Sequence, residues 1–158
     1  MKRDVLKIVI FVFSATVLVL LDRFTKKMAT NFLSNKPPKV LINNILELVY
    51  TENNGAAFGI LKGKFNLFFV LTIVVLAALL VFLFKLTFNK FYLPYFICIV
   101  LIFSGAVGNF IDRLFNRFVV DFIYFKPIDF PVFNFADIYI TIGCAILLIS
   151  SFTIYRNE

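Results

Sequence analysis

The sequence predicts an all-α membrane protein with four transmembrane helices and a small β-sheet at the membrane surface. Of its 158 residues 61% are hydrophobic, 23 are Phe, and the mean hydropathy is +0.95. A soluble domain of this length could bury a good core without so many uninterrupted apolar runs. Four such runs are present, at residues 5–21, 65–84, 91–111 and 138–155. At about 1.5 Å per residue, each approaches the roughly 30 Å of a bilayer's apolar core, given some flanking residues.

The first run, Val5–Leu21, is apolar except for Lys7 and follows the basic residues Lys2 and Arg3. A cleavable signal peptide has the same basic start and apolar middle. No small-x-small cleavage site follows this run, however, and the charged segment Asp22–Lys26 stands there instead. We therefore interpret it as a retained helix that ends at about residue 21.

The other three runs lack charge in their middles and show no internal repeat, which weakens a transporter built from duplicated halves. In the third run, Ser104 and Gly108 form a small-xxx-small pair, which predicts close helix packing. Cys98 and Cys144 fall inside apolar runs. We interpret both as packing residues, since nothing supports a disulfide or a metal site there.

Two long connections, residues 22–64 and 112–137, must lie on the same face of a single four-span domain. The first contains a β-like stretch at Leu46–Tyr50, and the second is aromatic and β-branched at Arg117–Phe125. We expect the two stretches to share a small sheet on the membrane surface. Between them along the chain, Asn54-Gly55 indicates a turn.

The net charge of +7 would suggest nucleic acid for a soluble protein, but in this chain it favours anionic lipid headgroups. Zinc chemistry is disfavoured because the chain has no His, whereas carboxylates alone could in principle hold magnesium or calcium. The basic residues leave orientation open. With cytoplasmic termini, six Lys and Arg lie on that side and ten on the other, against the positive-inside rule, although a basic flank on the first helix often dominates.

Acidic and amide side chains concentrate on the face that carries the long connections. Asn134 is placed as the N-cap of the fourth helix, which puts Asp137 at the third helical position, where free N–H groups favour an ionised carboxylate. Asp121 lies between Val120 and Phe122, without a visible partner. The positions concerned are Asp22, Asn53, Asn109, Asp112, Asp121, Asn134 and Asp137.

Ionisable groups beside hydrocarbon persist mainly when they are paired, hydrated or functional. Two carboxylates that converge at a membrane edge would suit the hydrolysis of a peptide bond by water. Desolvation and a negative Asp137 nearby would both raise the pKa of Asp121. We therefore expect Asp137 to act as the ionised base in the resting pair. Asp121 is then the acid that donates to the scissile carbonyl and later to the leaving nitrogen.

Each residue taken alone has a simpler interpretation. Asp137 could be only a helix cap, and Asp121 could face water or pair with Arg117. Lys26, four residues after Asp22, could form a surface ion pair of little energetic consequence. The combination, and no single residue, points to catalysis.

Five segments of the chain occur in the order and spacing found in one family. They are Asp22–Lys26, Asn53–Gly59, Gly105–Leu114, Val119–Phe122 and Phe133–Asp137. On these segments, from the first helix to the last, the chain resembles the lipoprotein signal peptidases (signal peptidase II).

The resemblance implies a bacterial, metal-independent aspartic endopeptidase without a cofactor. Members remove signal peptides from diacylglyceryl-modified prolipoproteins, cutting before the lipidated cysteine. By motif, Asp121 and Asp137 correspond to the catalytic dyad, and Asn53, Asn109 and Arg113 correspond to positions that hold the substrate backbone. Residues that match site-supporting positions are Asp22, Lys26, Gly55, Gly108, Asp112 and Asn134.

The resemblance also implies a multi-pass protein of the bacterial cell membrane whose partners are prolipoproteins and membrane lipids, not nucleic acid. Both termini would be cytoplasmic, the small β-sheet and the loops 22–64 and 112–137 would be extracytoplasmic, and the dyad would lie near the outer leaflet. We expect the Asn53–Gly59 loop to move to admit substrate. Residues 126–130, including Asp129, match no motif and receive no role.

Two other function classes fit the composition less well. A small channel, transporter subunit or membrane scaffold would place ionisable residues through the spans, whereas here the acids gather at one face. A lipid-phosphate hydrolase or transferase usually needs His, a metal cluster or several converging basic residues, and the chain has no His.

Overall fold

The computed structural model describes residues 2–55, 65–87, 89 and 91–155. Four helices lie within these residues, each long and apolar enough to cross a membrane, and a three-stranded antiparallel sheet accompanies them. The predicted fold class is therefore confirmed. The helices are α1 (Lys2–Leu33), α2 (Phe65–Lys85), α3 (Leu93–Asn116) and α4 (Phe135–Tyr155).

The first helix is longer than expected. Its 32 residues span about 48 Å, well beyond the roughly 30 Å of an apolar bilayer core. The expected end at residue 21 was wrong because it followed the apolar run, whereas α1 continues for three more turns to Leu33. Asp22 and Lys26, expected just beyond the helix, are buried on its inner face.

The third helix lies at the centre of the bundle and contacts each of the other three. A proline in its first turn suits the helix start, where the missing N–H has no intrahelical partner. It ends at Arg117, which adopts a left-handed conformation and donates its N–H to Arg113 O at 3.1 Å. A cluster of buried apolar residues joins α3 to α1 and α2, and includes Phe11, Leu83, Phe96 and Ile99.

The sheet is formed by β1 (Lys39–Ile42), β2 (Leu46–Asn53) and β3 (Val119–Phe125), with β2 in the middle. The two expected β stretches are confirmed as β2 and β3, which pair across the two long connections. The edge strand β1 was not expected. The register sets Thr51 opposite Asp121 and Asn53 opposite Val119.

A second buried cluster joins the sheet to the C-terminal part of α1 and includes Ala29, Leu33, Val120 and Phe122. After β3, the chain forms a short 3-10 helix, Lys126–Ile128, and then folds back. There Phe133 O accepts N–H bonds from Phe122 and Ile123 at 3.0 and 2.9 Å. This return brings the start of α4 beside β3.

Candidate active site

Asp121 is held on β3 by two amide side chains. The residue is only 2% exposed, although it lies on a strand outside the four helices. Asn134 Nδ2 donates to Oδ1 at 2.6 Å, and Asn53 Nδ2 donates to Oδ2 at 2.8 Å. Burial raises the pKa of Asp121 to about 6 and the negative charge of Asp137 adds to this, while the two amide donors oppose it.

Asp137 is held in the first turn of α4 by a reciprocal pair of hydrogen bonds with Asn134. The backbone N–H of Asp137 donates to Asn134 Oδ1 at 3.1 Å, and the backbone N–H of Asn134 donates to Asp137 Oδ2 at 3.1 Å. The expected N-cap is confirmed. Because its Nδ2 also reaches Asp121, Asn134 hydrogen-bonds to both carboxylates.

Asn109 on α3 joins the pair from the other side. Its Nδ2 donates to Asp137 Oδ1 at 2.8 Å, and its Oδ1 accepts from Lys26 Nζ at 2.9 Å and from Asn134 Nδ2 at 3.2 Å. An ammonium group only donates hydrogen bonds. Lys26 therefore fixes which end of the Asn109 amide faces Asp137.

Lys26 lies in a buried charge cluster. Its Nζ is 2.9 Å from Asp22 Oδ2 and 3.0 Å from Asp112 Oδ2, and all three side chains are at most 2% exposed. The alternative of a weak surface ion pair was therefore wrong, because α3 covers this face of α1. Asp22 Oδ1 also accepts the backbone N–H of Ala136 at 3.1 Å, which ties α1 to the start of α4.

Asp112 connects this cluster to the strand that carries Asp121. Its Oδ2 accepts the backbone N–H of Val120 at 3.3 Å, and its Oδ1 pairs with the guanidinium of Arg23. Arg23 was not among the expected site residues. Its position directly after Asp22 was visible in the sequence, but its partner lies 89 residues away.

Gly108 is required where α3 packs against the Asp22 side chain of α1. A Cβ atom there would lie 2.5 Å from Asp22 Oδ2 and 3.4 Å from Ala136 Cβ. The close packing expected of this residue is confirmed. It packs against the Asp22 carboxylate of α1 and against Ala136 at the start of α4.

Arg113 lies one turn after Asn109 and faces the same space. Its Nη2 donates to Gly55 O at 3.2 Å, and its guanidinium carbon is 4.8 Å from the centre of the Phe68 ring. Gly55 N–H in turn donates to Asn53 Oδ1 at 2.9 Å, forming the expected turn after β2. The rest of the Asn53–Gly59 loop, from residue 56, lies outside the described residues.

A cavity of about 580 Å³ opens over the two carboxylates. Its polar wall is made by Asn53, Gly55, Asn109, Arg113, Asp121 and Asp137. The apolar wall was missed from the sequence, because Phe68 and residues 130–132 lie outside the five family-like segments, and Phe133, although inside one, was given no role. The cavity thus combines two acids, several N–H donors and a lining suited to hydrocarbon.

The residues 126–130, to which no role was given, shape that apolar wall. Asp129 adopts a left-handed conformation, donates its N–H to Lys126 O at 3.1 Å, and accepts from Tyr124 OH at 2.6 Å. This turn reverses the chain, so that Phe130 and Pro131 line the cavity. Asp129 itself does not line it.

The chain matches the family model described as Signal peptidase (SPase) II over residues 14–153. It belongs to the signal peptidase II family. The lipoprotein signal peptidase of Fusobacterium nucleatum is 34% identical over 149 residues, covering 94% of this chain and 90% of that protein. The lipoprotein signal peptidase of Staphylococcus haemolyticus is 40% identical over 138 residues, covering 86% of each.

Solved structures agree with this family membership. A bacterial membrane enzyme superimposes with a TM-score of 0.86 at 37% identity, covering 94% of this chain and 90% of that one. A second bacterial membrane enzyme gives a TM-score of 0.79 at 38% identity. The chain is therefore a membrane-embedded protease of a bacterial signal peptidase II family, and the channel or scaffold alternative is not favoured.

Proposed function

We propose that this chain is an aspartic endopeptidase that removes signal peptides from diacylglyceryl-modified prolipoproteins, cutting before the lipidated cysteine. One observation carries the proposal. Asp121 and Asp137 line the same cavity and are both hydrogen-bonded to Asn134. The relatives named lipoprotein signal peptidase supply the substrate class.

In the proposed reaction the pair begins with one proton, on Asp121. Asp137 takes a proton from water as the hydroxyl oxygen bonds to the scissile carbonyl carbon, and Asp121 protonates the carbonyl oxygen. The resulting diol then collapses. One carboxyl group protonates the leaving nitrogen as the C–N bond breaks, and the diol returns a proton to the pair.

The raised pKa of Asp121 supports this direction of transfer. A carboxyl group whose pKa is about 6 stays protonated at a pH where an ordinary aspartic acid is ionised. Asp137 accepts N–H bonds on both oxygens, from Asn109 and from the backbone of Asn134, so its carboxyl group is held in place at the cavity.

We assign substrate-backbone contacts to Asn53, Asn109 and Arg113, which line the cavity with free hydrogen-bonding capacity. Asp22, Lys26, Gly55, Gly108, Asp112 and Asn134 support them. Movement of the Asn53–Gly59 loop on substrate entry remains our expectation. A cross-link that closes this loop over the cavity should stop turnover, and unchanged turnover would refute the expectation.

We further place the protein in the bacterial cytoplasmic membrane with both termini cytoplasmic and the cavity near the outer leaflet. The apolar wall of the cavity fits a substrate whose acyl chains stay in the bilayer while its peptide bond meets water. Labelling of single cysteines introduced at Lys36 and at Arg156 in intact cells should reach only the first. Labelling of Arg156 alone would reverse the topology.

The decisive experiment incubates the purified protein with a diacylglyceryl-modified prolipoprotein. We expect cleavage by the native protein and none above background by Asp121→Asn or Asp137→Asn, because each removes one member of the proton-transfer pair. A chelator should leave native activity unchanged. Cleavage by either variant, or loss of native activity in chelator, would overturn the mechanism.

A further inference from the structure

A second cavity, of about 400 Å³, lies along the outer part of α1 and beside the end of α3. Its α1 residues recur three or four positions apart, so they form one face of the helix. The lining residues used below are Leu20, Arg23, Phe24, Lys27 and Asn31 from α1, with Asn116 from α3. None of them is part of the proposed reaction.

The charges in and behind this cavity do not cancel. Lys26 is paired with Asp22 and Asp112, and Arg23 is paired with Asp112. Lys27 is exposed and forms no ion pair with the part of the chain that the structure describes. Three cations against two carboxylates leave one positive charge, on Lys27.

Polarity changes along α1 in the same way as across one leaflet of a bilayer. Leu20 and Phe24 are 61% and 60% exposed, at the end of the apolar run. Lys27 and Asn31 follow on the same face, one and two turns further out, or about 5–11 Å beyond Phe24. An acyl chain could therefore lie against the apolar residues while its headgroup meets the polar ones.

We propose that this cavity binds an anionic glycerophospholipid from the leaflet on the active-site side. The phosphate accepts hydrogen bonds from Lys27 and from the remaining N–H groups of Arg23, and the amides of Asn31 and Asn116 contact the rest of the headgroup. The uncompensated charge on Lys27 selects an anionic headgroup over a zwitterionic one. Binding here does not depend on the peptidase mechanism.

Native mass spectrometry of the full-length protein tests this site. The protein is equilibrated in detergent with equal amounts of phosphatidylglycerol and phosphatidylcholine that carry the same acyl chains. We expect retained phosphatidylglycerol to exceed phosphatidylcholine, and Lys27→Gln to weaken its retention about fivefold, the equivalent of about 1 kcal/mol. Lys27→Arg should keep retention near native, which separates lost charge from lost folding.

Lys36→Gln is the matched control, because Lys36 is also an exposed lysine beyond the apolar part of α1 but does not line the cavity. It should leave retention unchanged. Equal losses in Lys27→Gln and Lys36→Gln, or no preference for phosphatidylglycerol, would overturn the proposal. Displacement of the lipid by millimolar inorganic phosphate would show a phosphate site and would also overturn it.

Discussion

At the residue scale, the two carboxylates differ because their hydrogen-bond donors come from different places. Among the described residues, Asp121 accepts hydrogen bonds from two side-chain amides, those of Asn53 and Asn134, and it lines the cavity. Asp137 receives the backbone N–H that closes a helix cap as well as the Asn109 amide. Two chemically identical groups are therefore held by different kinds of hydrogen-bond donor.

The pKa of Asp121 sets a pH dependence with a definite sign. It is raised from 3.8 to about 6 in the folded protein, so protonation favours the fold. That contribution to stability is complete below the unfolded value and is lost as pH rises through about 6. If Asp121 is the acid, kcat/KM for the free enzyme should fall over the same rise.

Replacing Asn53 with Leu should move this fall in kcat/KM to higher pH. The variant removes a 2.8 Å donor that stabilises ionised Asp121, so the pKa of Asp121 should rise further. Measuring kcat/KM from about pH 4 to about pH 8 checks the shift. Glu52→Gln, at an exposed neighbour on β2, is the control and should leave the profile in place. A fall at lower pH in Asn53→Leu would contradict the assignment.

Replacing Lys26 with Met should destabilise the protein by about 3–5 kcal/mol, because it leaves buried Asp22 without its cation and leaves Asp112 paired with Arg23 alone. Both Asp22 and Asp112 are at most 1% exposed. Equilibrium unfolding in detergent measures the change. Lys36→Met, at an exposed lysine, should stay within about 0.5 kcal/mol of native. Similar losses in the two variants would show that the charge cluster is not a special contributor.

At the scale of elements, the site depends on the packing of α1 against α3 at Gly108. Gly108 lets the Asp22 carboxylate lie against α3, and Asp22 in turn accepts the Ala136 N–H at the start of α4. Three helices are thus positioned around a single buried carboxylate. The sheet adds Asp121 through the Asp112–Val120 contact.

Gly108→Ala should destabilise the protein by about 1–3 kcal/mol, because its methyl group would overlap Asp22 Oδ2 in a packed region. Peptidase activity should fall as well, since Asp22 would move away from the start of α4. Thermal unfolding and the cleavage assay measure the two effects. Val74→Ala, on the exposed face of α2, is the control and should change neither appreciably. A Gly108→Ala protein with native stability and native activity would mean that α1 and α3 can move apart at this position without consequence.

At the scale of the whole molecule, buried charge lies at both ends of the bundle. Lys7, at the end away from the cavity, is 2% exposed and donates to Leu83 O at 2.9 Å and to Leu86 O at 2.8 Å. A cation at these carbonyls, which lie in and just after the last turn of α2, also complements the helix dipole. It lies 15 residues, or about 22 Å of helix, from Asp22, so it stabilises the bundle without contacting the site.

Lys7→Met should therefore separate stability from catalysis. Losing two charge-assisted hydrogen bonds should lower the unfolding free energy by about 1–3 kcal/mol. The activity of the folded fraction should stay near native. Thermal unfolding combined with kcat per folded molecule checks both, with exposed Lys85→Met as the control. A large fall in kcat of the folded Lys7→Met protein would show coupling between the two ends of the bundle.

The sequence by itself determined the four spans, the paired stretches β2 and β3, the Asn134 cap and the short set of polar residues from which the site is built. The spans follow from apolar runs long enough to cross a bilayer, and the cap follows from hydrogen bonds that close within three residues. The two strands follow from their local β-branched and aromatic composition, although the hydrogen bonds that pair them join distant parts of the chain.

Only the tertiary structure decided how those residues connect. Asn134 reaching Asp121, Lys26 orienting Asn109 and Arg23 pairing with Asp112 each require helices or strands that are distant in the chain to pack together. The far end of α1 and the apolar wall at residues 130–133 likewise depend on burial against other elements, which no local pattern encodes. Contacts across the bundle are set by packing, and packing is a property of the whole fold.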